Sequence, residues 1–150
     1  MRLPLDRRSL AIIQGSYFAL SGAWPLIHRR SFEKVTGRKQ DFWLVNTVGV
    51  LVAVMGGVMV AAGVRERVSP EIELLGQGSA AGFAVIDSYY VQRGRISPIY
   101  LLDAVAEVAL LAGWAVLPDP APPEGTGRFG RRFRRNRAAR GRRRFASAPR

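Results

Sequence analysis

Apolar residues in this chain gather into four long runs, each interrupted by polar residues at helical spacing. The runs cover Leu10 to Ile27, Trp43 to Val64, Ile72 to Val91 and Ile99 to Leu117. A helix rises about 1.5 Å per residue, so about 20 residues cross a hydrocarbon core of about 30 Å. The pattern predicts an all-α protein, a four-helix transmembrane bundle with spans at about 10–27, 43–64, 72–91 and 98–117. Boundary chemistry agrees. Ser69-Pro70-Glu71-Ile72-Glu73 places a capping serine before a proline at the first helical position, with acids where the helix dipole favours them. Ser97-Pro98 repeats that start for the fourth helix, and Pro118 stops it. Arg7-Arg8 and Ala19-Leu20-Ser21 resemble parts of a secretory signal, but Gln14, Ser16 and Tyr17 interrupt the apolar region and three runs follow, so a retained first helix is expected.

Each run carries one face of small and polar residues. The first shows Gln14, Tyr17, Ser21, Trp24 and His28, and the second Asn46, Gly49, Ala53 and Gly56. The third shows Gln77, Ala80, Ala84 and Asp87, and the fourth Asp103, Glu107, Leu110 and Trp114. Lipid gives helices no hydrophobic reason to associate, so close backbone contact and interhelical hydrogen bonds must hold such a bundle together. Small residues also recur four apart at Gly49, Ala53, Gly57 and Ala61, and at Gly78 and Gly82, and the second helix's stripe is the expected face of a homo-oligomer.

The acids on these faces change the picture. From a start at Pro98, Asp103 lies about 7 Å and Glu107 about 14 Å into the span, the latter near the midplane. An ionised carboxylate there costs about 2.5–3.5 kcal/mol, so Glu107 is expected to be protonated, paired or wetted by a cavity. Asp87, Asp103 and Glu107 are therefore the candidate site, with Arg93, Arg95 and Lys39 as counter-charges and Gln14, Tyr17 and Asn46 as hydrogen-bond partners. One reading is a polar pocket that binds a small ligand, a cation or a proton. The alternative is a structural or assembly protein, in which protonated acids bridge helices and the tail binds anionic lipid or nucleic acid. No nucleophile–base pair supports an enzyme. With no cysteine and one histidine, neither a metal site nor a cofactor is expected.

Charge separates the chain into two parts, 1–117 and 118–150. Of the net +12, residues 118–150 carry +9, with eleven arginines against two acids. The mean hydropathy of +0.03 therefore averages an apolar domain with a polar tail. Arg131, Arg132, Arg134, Arg135, Arg142, Arg143 and Arg144 sit in a segment too poor in apolar residues to fold, a disordered polybasic tail suited to anionic lipid at a cytoplasmic surface. Nucleic acid would also attract such a tail, but the spans argue against it as the partner. With both termini inside, sixteen basic residues face the cytoplasm and seven face outward, which favours a multi-pass protein of the bacterial inner membrane with N- and C-termini in the cytoplasm. In either orientation the first loop, the end of the third helix and the start of the fourth share one side.

Phe32-Glu33-Lys34-Val35-Thr36-Gly37, the run Asp41-Phe42-Trp43-Leu44-Val45-Asn46-Thr47-Val48-Gly49, and Ile96-Ser97-Pro98-Ile99-Tyr100-Leu101-Leu102-Asp103-Ala104 give the chain a family likeness. Over about residues 10–115 it resembles a group of small four-helix bacterial membrane proteins with no assigned activity. The resemblance implies four membrane helices and an acid near the start of the last one.

Overall fold

The computed structural model describes residues 5–119, and among these it is all-helical, with no strand. The helices are α1 (Arg7–Ile27), α2 (Arg29–Thr36), α3 (Phe42–Val64), α4 (Pro70–Gln92) and α5 (Tyr100–Val116). The four long helices coincide with the four apolar runs to within a few residues at each end. The arginine clusters from Arg131 to Arg144 lie outside the described residues.

The helix ends follow from local chemistry. Asp6 caps α1, its carboxylate accepting from the Ser9 N–H at 2.8 Å. His28 caps two helices at once: its N–H donates to Trp24 O at 2.9 Å, closing α1, and its Nδ1 accepts from the Ser31 N–H at 3.1 Å, opening α2. Gly37, at φ 85°, ends α2 with a backbone conformation that side chains disfavour. Before α5, Tyr100, Leu101 and Leu102 donate to the carbonyls of Ser97, Pro98 and Ile99, three residues back, so a tighter turn extends the helical path to Ser97.

The short α2 was not expected; the sequence reads there as a basic loop. Its signal is Phe32, Val35 and Thr36 at helical spacing among Arg29, Arg30 and Lys34.

α1 and α3 form the tightest seam. A methyl added to Gly15 would lie 2.7 Å from Gly56 O, and one added to Gly49 would lie 2.6 Å from Gly22 O. One added to Gly63 would lie 3.0 Å from Arg8 O. Contacts 15 to 56, 22 to 49 and 8 to 63 define an antiparallel register with glycines seven residues apart, a spacing that keeps one face on the partner. Gly49 and Ala53, expected on an oligomer face, are thus spent within the chain, whereas Gly57, Gly78 and Gly82 meet nothing within 4 Å.

α4 packs mainly on α5, and α1 touches every other helix. Leu10, Ala11, Phe18, Met59 and Trp114 form the buried core. Arg7 and Arg8 fasten one end of the bundle. Arg7 Nη1 reaches Glu73 at 3.1 Å and Asp119 at 2.8 Å, and its Nε donates to Leu117 O at 3.1 Å. Arg8 Nε donates to Gly63 O at 3.1 Å, and its Nη1 pairs with Glu66 at 2.5 Å. At the other end, Lys39 lies 5.0 Å from the Tyr100 ring, bringing the segment after α2 beside the start of α5 as chain parity requires.

Two helices, α1 and α3, are long and apolar enough to cross a membrane by length and composition. This is a coarser result than the four spans expected. Glu71, Glu73, Gln77 and Asp87 dilute α4, and α5 has 17 residues.

Candidate functional site

α3 and α5 do not pack extensively on each other, and a cavity of about 800 Å³ separates them, bounded by α1 and by α2. Its lining is mostly apolar and aromatic. From α1 come Tyr17, Phe18 and Trp24; from α2, Phe32 and Val35; from α3, Val45, Val48 and Val52. Phe83 of α4 reaches it and stacks edge-on against Phe18, with ring centroids 5.6 Å apart. α2 is seated by Trp24, whose indole N–H donates to Ser31 Oγ at 2.7 Å and whose ring meets Phe32 edge-on at 5.6 Å.

Both acids of the lining stand on the α5 wall. Asp103 and Glu107, one helical turn apart, both line the cavity, with Glu107 deeper from the α2 end. The Tyr17 hydroxyl donates to Asp103 Oδ1, joining α1 to α5. Glu107 is 1% exposed, and its Oε2 has no hydrogen-bond partner. Asp87, 6% exposed on α4, lies outside the lining; its Oδ2 is likewise unpartnered, and it interacts electrostatically with Glu107, as Asp103 does.

The expected counter-charges are distributed otherwise. Arg93 lies over the Tyr89 ring of its own helix at 5.1 Å, Arg95 is exposed, and no ion pair joins either to Asp87 or Asp103. Lys39 lines the cavity at the α2 end, where its ammonium donates to Thr36 O at 3.0 Å.

The expected hydrogen-bond partners divide as well. Tyr17 serves Asp103, but Gln14 is spent elsewhere: its Nε2 donates to Gly76 O at 2.9 Å, and its Oε1 accepts from Trp114 Nε1 at 2.6 Å. That pairing ties α1 to α4 and α5 through fully buried side chains. Gly76 is required beneath it, since a methyl there would meet Trp114 Nε1 at 2.7 Å. Asn46 bridges to no acid, and its buried Oδ1 is unpartnered.

Sequence reasoning placed Gln14 and Trp114 on inward stripes without pairing them, and it did not find the aromatic lining. The signal for the lining was Trp24, Phe32 and Tyr100, all on the side shared by parity. Among the described residues, no group of three or more His, Cys, Asp or Glu side chains is placed to hold a metal ion. Comparison with protein-family models, curated proteins and solved structures finds no match for the chain.

Proposed function

We propose that this is an integral membrane protein of the bacterial inner membrane in which α1, α3, α4 and α5 all span the bilayer, and that it binds a small molecule in the cavity between α1, α3 and α5. Every long helix turns bulky apolar side chains outward, among them Leu20 of α1, Val54 of α3, Leu74 of α4 and Val105 of α5. In water such surface would be an association liability; in lipid it is the required exterior. With its leading turn, the path from Ser97 to Val116 has 20 residues and reaches about 30 Å, enough for a hydrocarbon core.

The observation that carries the binding reading is Glu107, a fully buried carboxyl with an unpartnered oxygen on the wall of a large apolar cavity. Ionisable groups within membrane helices mark ligand and ion sites because burying them is costly. The assembly reading also has support in the Gln14–Trp114 and Tyr17–Asp103 hydrogen bonds, which join helices without facing an unfilled demand. In this scheme the arginine-rich segment 118–150 lies at the cytoplasmic face on anionic lipid.

The chain has no cysteine, so single cysteines report topology without background. Lys34→Cys should react with a membrane-impermeant maleimide on intact cells, and Arg67→Cys only after permeabilisation. Equal labelling of both from outside, or release of the protein by alkaline carbonate, would refute the four-span arrangement.

A further inference from the structure

We propose that the cavity recognises a lipophilic organic cation, an amine or onium group carried on an apolar or aromatic body, with Glu107 as its counter-charge and Asp103 beside it. This rests on the cavity being a ligand site and adds the chemical class of the ligand.

Volume bounds the class first. About 800 Å³ matches the range of small-molecule pockets and far exceeds the need of a bare ion. A divalent metal needs several converging oxygen ligands, which the wall does not offer. Charge then selects the sign. Asp103 and Glu107 line the wall, Asp87 lies within electrostatic reach of Glu107, and no described basic side chain is bonded to any of the three. An anion would meet like charge, and a purely apolar molecule would leave the carboxyls of the wall without a counter-charge. A positively charged group close to the α5 wall answers both demands.

The remaining lining supplies the second half of the recognition. Tyr17, Trp24, Phe32 and Tyr100 surround the approach, and aromatic faces attract cations most strongly where water is excluded. Lys39 already exploits this, its ammonium lying 5.0 Å from the Tyr100 ring while it donates to Thr36 O. As a cation on the lining at the α2 end, Lys39 opposes entry of a second one. It thereby favours ligands whose charge travels beyond it to Glu107.

Tetraphenylphosphonium and tetraphenylborate have nearly the same shape and apolar surface but opposite charge, so the pair isolates the sign. Purified protein in lipid nanodiscs is titrated with each by calorimetry. The phosphonium should bind saturably, Glu107→Gln should weaken it by about tenfold or more, and Lys39→Gln should tighten it. The borate should show no saturable binding. A Val48→Trp substitution, which narrows the cavity and leaves Glu107 in place, should also abolish phosphonium binding. Helicity and elution volume confirm that each variant is folded.

Equal binding of the two ions, or full phosphonium affinity in Glu107→Gln, would overturn the assignment to cations. Loss with Val48→Trp but not with Glu107→Gln would leave a ligand cavity of another chemistry. Retention in Val48→Trp would remove the cavity from the argument altogether.

Discussion

The α1–α3 seam allows a sharp test of the packing, because its glycines divide into those that meet backbone and those that meet nothing. In Gly15→Ala, the new methyl would sit 2.7 Å from Gly56 O, 2.8 Å from Val60 N and 2.9 Å from Met59 Cβ. Two of these obstacles are backbone atoms, so no rotamer change relieves the clash. Ordinary contact begins near 3.4 Å, and α1 must retreat from α3 by about 0.7 Å. A gap of that size forfeits about a quarter to a half of the dispersion energy of each contact that it opens. Overpacking of this kind costs about 1–3 kcal/mol. Gly57→Ala is the matched control, since its methyl meets nothing within 4 Å. Both substitutions gain helix propensity, about 1 kcal/mol in each, and this cancels in the comparison. Gly15→Ala should therefore fall about 5- to 150-fold below Gly57→Ala in folding equilibrium constant. Reversible unfolding in mixed micelles with rising dodecyl sulfate, followed by circular dichroism, measures it. Equal stability of the two variants, or greater damage from Gly57→Ala, would refute the seam and place close packing on the Gly57 face instead.

The Gln14–Trp114 hydrogen bond should emerge from a double-mutant cycle with Gln14→Leu and Trp114→Phe as a coupling of about 0.6–1.7 kcal/mol, and additive effects would deny it. A separate expectation concerns acid. The Arg29 guanidinium, bonded to Glu33 at 3.2 and 3.3 Å, holds that carboxyl below its ordinary value against a smaller opposing effect of burial, with help from the Lys39 N–H. Because the folded value is depressed, this contribution is complete above the unfolded value near 4.5 and is lost as pH falls through the folded one. The Trp24 indole N–H resonance should consequently report loosening of α2 in acid, and Arg29→Gln should remove that dependence. Finally, Glu107→Leu should leave stability unchanged or raised, since it removes an unmatched polar group from the interior. A loss of about 2 kcal/mol or more in the same dodecyl sulfate titration would show that the carboxyl holds the bundle together.

The long helices were legible because their signals are local. The apolar runs locate all four, Ser69-Pro70 marks the start of α4, and Ser97-Pro98 lies in the turn just ahead of α5, all without reference to distant residues. Tyr17, Asp103 and Glu107 could be placed on inward faces by the same spacing rules. What escaped was whatever depends on a second element. Glycines were sought four apart, whereas the seam uses Gly15 and Gly22 against Gly49, Gly56 and Gly63, a repeat of seven that makes sense only once α3 is known to run antiparallel to α1. Arg93 and Arg95 follow the same logic. They lie near Asp87 in sequence, but one rests on Tyr89 of its own helix and the other faces outward. The α2 helix escaped because its arginines were weighed as topology signals, and Phe32, Val35 and Thr36 find their purpose only against Trp24 and the cavity.

Gln14 and Glu107 show what this interior does with buried polarity. Both lie in the fold's core, at 0% and 1% exposure. Gln14 is matched at both ends, donating to a backbone carbonyl and accepting from an indole, and three helices meet on it. The same chain leaves Glu107 Oε2 and Asp87 Oδ2 unmatched, although Asn46 carries a buried amide oxygen of its own without a partner. A bundle that can satisfy a glutamine through two helices has the means to satisfy a carboxyl, or to replace it with leucine. Hydrogen bonds within the bundle therefore account for Gln14 and leave an oxygen of Glu107 unmatched. Glu107 instead lies beside a cavity with Asp103 on the same wall, and no described basic side chain is bonded to it. That difference between two equally buried side chains is the physical reason to test the α5 wall for ligand binding.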